Sequence, residues 1–131
     1  MAKQIIIASG PIIIEDDKVL LVQHGDKKMW KFPGGQLENF KFDDWNTALE
    51  ETAKRKVREE MSIDIKIIKP LKPLITPRPN HKDEYVILIH FLAKRIGDIN
   101  PGDDIDDWDW IPIHNLPDNC APNIAPVLAS I

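Results

Sequence analysis

The sequence predicts an α+β fold, and three observations carry that prediction. Segments rich in apolar and β-branched residues recur along the chain, from 4–15 to 107–113. Only one long stretch, 43–61, has helical periodicity, and a second, shorter helix is expected in the tail. Strands and helices do not alternate one for one, so a βαβ repeat is excluded. At 131 residues the chain is one domain's worth of sequence, and residues 1–131 are read as a single domain.

Each element follows from local chemistry. Residues 4–15 (QIIIASGPIIIE) read as a buried strand broken near Gly10-Pro11. Asp16-Asp17 is a turn, and 18–24 (KVLLVQH) returns as the second arm of a hairpin. A polar loop, 25–28, precedes a short extended piece, 29–32, that stops at Pro33-Gly34-Gly35. The helix over 43–61 takes Asp43 or Asp44 as its cap, with Ala48, Leu49, Thr52, Ala53, Lys56 and Val57 at helical spacing. Segments 63–68 and 72–75 read as strands separated by Pro70, and 85–93 (YVILIHFLA) is the most apolar strand. Residues 107–113 (DWDWIPI) alternate like a half-exposed strand, with one of Trp108 and Trp110 in the core and the other partly exposed. Residues 121–131 form the short final helix, with Pro122 in its first turn.

Composition excludes several classes. With 43% apolar and 29% charged residues, the chain is neither disordered nor fibrous. No apolar run approaches the roughly 20 residues of a membrane helix, and no secretory leader is expected at Ala2-Lys3-Gln4. One cysteine, Cys120, cannot form an internal disulfide, so a cytoplasmic location is expected. Seventeen basic against twenty-one acidic residues leave a net charge of −4, which disfavours an extended nucleic acid but not a small phosphorylated ligand held with a metal.

The chemistry concentrates in residues 30–64. A strand runs into a Gly-Gly turn (W-K-F-P-G-G-Q-L-E), and the helix that follows ends in K-R-K-V-R-E-E-M. Glu59 and Glu60 lie near its C-terminus, where the helix dipole opposes carboxylates by about 0.3–1 kcal/mol each. A divalent cation would offset that placement, and hard oxygen donors suit magnesium or manganese. The two glycines let the backbone approach closely enough for a carbonyl to become a further ligand.

Here the chain resembles the Nudix hydrolases, whose signature joins a leading Gly and a Glu to Arg-Glu-aliphatic-any-Glu-Glu-any-Gly-aliphatic. Gly35 matches the leading Gly, Glu38 an acid shortly after it, and Arg55, Val57, Glu59, Glu60 and Ile63 the second half. The strand 18–24, the W-x-x-P-G-G lead-in, the acidic-Trp segment 105–117 and the tail 122–128 match the family in order. The resemblance implies an α/β/α sandwich with a mixed central sheet, one long box helix and a C-terminal helix. It implies hydrolysis of a diphosphate linkage in a nucleoside diphosphate derivative, a nucleotide or a sugar nucleotide, with Mg2+ or Mn2+. Carried over, Glu59 and Glu60 are metal ligands with the Gly35 carbonyl a third, and Arg55 orients the Glu pair.

The sequence departs from the signature at Lys56 and Thr47, which stand where it has Glu, at Ser62 in place of Gly, and in an insertion around residues 40–45. An ammonium at Lys56 gives a metal no lone pair. It either neutralises a Glu or touches a substrate phosphate. The base must then come from elsewhere. Asp103, Asp104 and Glu38 are candidates, with Asp106, Asp107, Asp43 and Asp44 as further acids. Arg78 and Tyr85 are candidate substrate contacts, as are His81 and Lys82 in the same loop; Trp45 either stacks on a base or pins its loop. His90 reads as a core or cavity-wall histidine, and Cys120 as inert. The functional alternative is a nucleotide-binding module with weakened catalysis, or a purely structural domain; a monomer or homodimer is expected.

Overall fold

The computed structural model describes residues 4–25, 28–38, 41–78 and 81–131. Parts of the expected loops at 25–28, 40–45 and 78–84, and the start of the chain, lie outside them. Among the described residues, no helix is long and apolar enough to cross a membrane.

Strand β1 (Gln4–Glu15) and β2 (Lys18–Gln23) form the expected hairpin, closing at Ile14 opposite Val19 and Glu15 opposite Lys18. Both turn residues are left-handed, Asp16 at φ 51° and Asp17 at φ 61°. Two consecutive positive φ values define the type I′ turn, whose twist matches the strands and which favours Asn-Gly. Asp16→Asn with Asp17→Gly is therefore expected to raise stability by about 0.5–1 kcal/mol, visible as a melting temperature a few degrees higher.

Gly10-Pro11 does not break β1, contrary to the sequence expectation. One edge of β1 pairs in parallel with β6 (Glu84–Ile96) continuously from Gln4 to Ile13. The other edge changes partner there. The short β3 (Gly35–Gln36) pairs up to Ser9, and β2 takes over at Ile14. Pro11 lies in the gap, where a missing N–H costs no ladder bond. Strands β4 (Asp64–Pro70) and β5 (Leu74–Pro77) share the far edge of β6, and β7 (Asp107–Pro112) pairs along β2. The sheet is mixed, in the order β4-β6-β1-β2-β7.

Helices cover both faces. Alternation sends Ile13, Leu20 and Val22 to the side of α1 (Ala48–Met61), where they pack with Val57, Met61, Ile63, Ile65, Ala93 and Ile105. Ile12, Val19 and Leu21 face the other way, onto Phe32, Leu71, Ile111 and α2 (Ile124–Ala129) with its Ile124 and Val127. A sheet covered on both sides explains why β1 and β2 read as nearly unbroken apolar runs.

Three local expectations need correction. Helix α1 begins at Ala48, and neither Asp43 nor Asp44 caps it; Thr47 holds the cap position without a side-chain bond. Asp44 instead accepts the Asn46 N–H at 2.9 Å, an Asx-type turn that competes with helix formation. Trp108 and Trp110 are both half-buried and pack on the α1 side, as two residues spaced by two must share a face. In the tail, Asn123 holds the N-terminal position of α2, so Pro122 precedes the helix; Pro126 is the proline in the first turn, where its missing N–H has no helical partner.

Candidate active site

The C-terminal end of α1, the Gly34-Gly35 turn and the loop before β7 meet at one cavity. Its volume is about 460 Å³, and its lining includes Glu38, Lys56, Glu59, Glu60, Asp103 and Asp104. The loop is fastened to the helix by backbone bonds. Gly102 N–H donates to the Glu60 carbonyl at 2.8 Å, and Asn100 N–H to the Met61 carbonyl at 2.9 Å. These donors satisfy carbonyls that a helix end leaves open, and in doing so they set Asp103 and Asp104 beside the Glu pair. Ser62 adopts the left-handed conformation of a helix stop (φ 61°) without being glycine, and its hydroxyl donates to the Asn100 carbonyl at 2.8 Å.

Glu60 is the anchored member of the pair. Its Oε1 accepts the Gly34 N–H at 2.9 Å. Burial raises its pKa to about 7; the Gly34 bond and the charge of Lys56 oppose that rise, while Glu59 and Asp104 add to it. Glu59 is exposed, and Arg55 Nη1 lies 3.9 Å from its Oε1. Arg55 thus reaches Glu59 alone, not both carboxylates. Lys56 donates to Glu38 Oε1 at 2.9 Å, a bond that lowers the Glu38 pKa below its usual value. Thr47 stands at the opposite end of α1, about 20 Å along the axis from Glu60. Asp44 is likewise at that end, and Asp107 accepts the N–H of Trp108, so neither lines the cavity.

The cavity opens into a groove across the sheet. His24, Gly34, Gly35 and Gln36 also line a middle section of about 290 Å³, with Lys31, Phe32, Val86, Leu88 and His90. Lys31, Val86, Leu88, Ala121 and Asn123 are shared in turn with an outer, mainly apolar section of about 740 Å³ containing Met29, Arg78 and His81. His90 is the cavity-wall histidine expected, edge-to-face with Phe32 at 5.0 Å and lowered by burial to a pKa of about 4. Arg78 belongs to the outer section and pairs with Glu84 at 3.1 Å. Tyr85 does not line the groove: Val86, Leu88 and His90 do, and alternation turns Tyr85 to the other face of β6. Trp45 is 70% exposed, edge-to-face with Phe42, and far from the acidic end.

Sequence reasoning missed His24 and Lys31. His24 borders both the acidic and the middle sections, and its pKa is lowered by burial and then by Lys31, while Asp106 and Asp104 pull it up. The available signal was phase: His24 is two residues after Val22 and four after Leu20, both of which face α1.

Among the described residues, no three acidic, His or Cys side chains gather closely enough to hold a metal ion between them. The donor set still fits magnesium or manganese. Such ions are commonly held by one or two carboxylates, with water and substrate phosphates completing the shell. A half-buried Glu60 crowded by Glu59 and Asp104 is the group such a cation would relieve.

The family model of the NUDIX domain matches residues 6–131. The chain belongs to the Nudix family. No curated protein matches the sequence. Among solved structures, the MutT NUDIX hydrolase from Burkholderia pseudomallei is similar over 98% of this chain and 99% of its own, at 18% identity and TM-score 0.83. The E. coli ORF135 protein is similar over 98% and 89%, at 18% identity and TM-score 0.75. A UDP-X diphosphatase matches 98% of this chain and 63% of its own, at 21% identity and TM-score 0.74. At these identities the structural likeness speaks for the Nudix fold. Nudix hydrolases as a family use divalent ions and generally cleave nucleoside diphosphate derivatives.

Proposed function

We propose that this Nudix protein is a magnesium- or manganese-dependent pyrophosphohydrolase of a nucleoside diphosphate derivative, acting in the cytoplasm. The observation that carries the reading is Glu60, tethered to the Gly34 N–H at the acidic end of a groove whose other end is apolar.

In this reading Glu59 and Glu60 hold the ion, and the Gly35 carbonyl is a further donor. The bound ion would neutralise charge on the diphosphate and lower the pKa of water. The chain's own groups do the rest. Lys31 carries positive charge into the middle section, Arg78, paired with Glu84, offers its remaining N–H donors in the outer one, and the apolar walls Met29, Val86 and Leu88 receive the organic part of the substrate. Asp103 or Asp104 accepts the proton from water. Glu38 is the poorer base, because Lys56 already holds its carboxylate. Arg55 restrains Glu59.

A screen of phosphate and pyrophosphate release from nucleotides and sugar nucleotides tests this. Release is expected only with magnesium or manganese, and Glu60→Gln is expected to lower it by about 10²-fold or more. Lys56, a cation where the signature has an acid, favours the second reading, a nucleotide-binding module with weakened turnover. Nucleotide binding with no release under either ion would establish that reading instead.

A further inference from the structure

Among the described residues, Lys56 is the one lysine or arginine lining the acidic cavity, with His24 at its border to the middle section. Lys56 shares the lining with five carboxylates, those of Glu38, Glu59, Glu60, Asp103 and Asp104. Its stem lies over Gly35: a Cβ placed on that glycine would be 3.3 Å from Lys56 Cδ and 3.4 Å from Cε. The side chain is 14% exposed, while that of its partner Glu38 is 65% exposed. The ammonium is therefore held from inside, and its present partner is a surface carboxylate that can turn to solvent. An ammonium has three donors, and Glu38 accepts one of them.

From this arrangement we infer that Lys56 is a built-in cation of the site: the cavity takes one divalent ion, and the Lys56 ammonium fills the place of a second, exchanging Glu38 for an oxygen of the substrate's diphosphate. The inference rests on the metal-dependent reading above. A second divalent ion in this cavity would meet the like charge of the ammonium that shares its lining, and Glu38, one of the five carboxylates, is already engaged by that ammonium. An ammonium binds phosphate oxygen as a compact point charge, so it can neutralise the diphosphate without completing a coordination shell.

Calorimetric titration with manganese, in the presence of non-hydrolysable methylenediphosphonate, counts the ions directly. The wild-type chain is expected to take one ion, and Lys56→Glu two. Lys56→Met keeps the stem without the charge; it is expected to take one ion and to bind the diphosphonate about tenfold or more weakly. Thermal melts of each variant establish that it is folded, and the wild-type count and Lys56→Met decide the matter should Lys56→Glu not fold. Two ions on the wild type, one ion on a folded Lys56→Glu, or undiminished diphosphonate affinity in Lys56→Met overturns the inference and leaves the hydrolase reading standing. No manganese on the wild type overturns both.

Discussion

Glu60→Gln is expected to melt about 5 °C or more above the wild type at pH 8 without divalent ions, and at nearly the wild-type temperature at pH 4. Burial raises the Glu60 pKa from 4.5 to about 7 in the folded chain. A carboxyl whose folded pKa is raised is neutral in both states below the unfolded value, so nothing is lost there. Between pH 4.5 and 7 the unfolded chain releases a proton that the folded chain keeps, and stability falls as pH rises. Above pH 7 the whole loss is in place, about 3 kcal/mol for this shift. Gln has no such charge. Its carbonyl can still accept the Gly34 N–H, and it presents no charge for Glu59 and Asp104 to repel, which limits the cost of burying it. Differential scanning calorimetry at both pH values measures the gap. Magnesium should then raise the wild-type melting temperature, by about 2.7 kcal/mol of stabilisation at a hundred times its dissociation constant, and leave Glu60→Gln unmoved. Equal gains in both proteins would place the ion away from Glu60. No gap at pH 8 would mean that Glu60 carries no electrostatic strain. The residue expected to matter most for turnover is thus also one that the ion-free fold tolerates poorly.

Much of this was legible in the sequence because it depends on local chemistry. The runs of β1, β2 and β6 are apolar since helices cover both faces of the sheet, and the Glu pair after Arg55 marks one end of the site. The start of α1 was not legible: Asp44 has two uses for its carboxylate, a cap or a turn, and here it takes the Asn46 N–H. Pro11 suggested a break because one strand's sequence does not show that its neighbour changes at that point. The groove was least accessible. Lys31, Val86, Leu88 and Asn123 come from separate parts of the chain, and the pairing of β1 with β6, of Val22 with Lys31 and of Trp30 with Cys120 brings them together. Lys56 was visible as a departure. What it does depends on Gly35 and Glu38, which reach it through the fold.

Gly10→Ala is expected to cost about 3 kcal/mol or more and to abolish the stabilisation by magnesium. Gly10 needs no unusual backbone angle; what it lacks is room. A Cβ there would overlap the Pro33 carbonyl oxygen and lie 3.1 Å from Gly34 Cα. Overpacking that can relax typically costs 1–3 kcal/mol, and here relaxation is resisted on both sides. Strand β1 is held by its continuous ladder with β6. The opposing segment is held by Gly34, whose φ of 134° suits glycine and whose own added Cβ would meet the Ser9 carbonyl oxygen at 2.5 Å. The segment that gives way carries the Gly34 N–H, so the added methyl moves the donor off Glu60 although it never touches the carboxylate. Gly97→Ala is the control. Gly97 sits at φ 100° with nothing within 4 Å of its added Cβ, so its cost is conformational, about 1–2 kcal/mol, and the response to magnesium should persist. Urea unfolding with and without magnesium separates the two cases. A Gly10→Ala protein that keeps both its stability and its response to magnesium would show that the close contact of β1 with the Gly34 turn does not hold Glu60 in place.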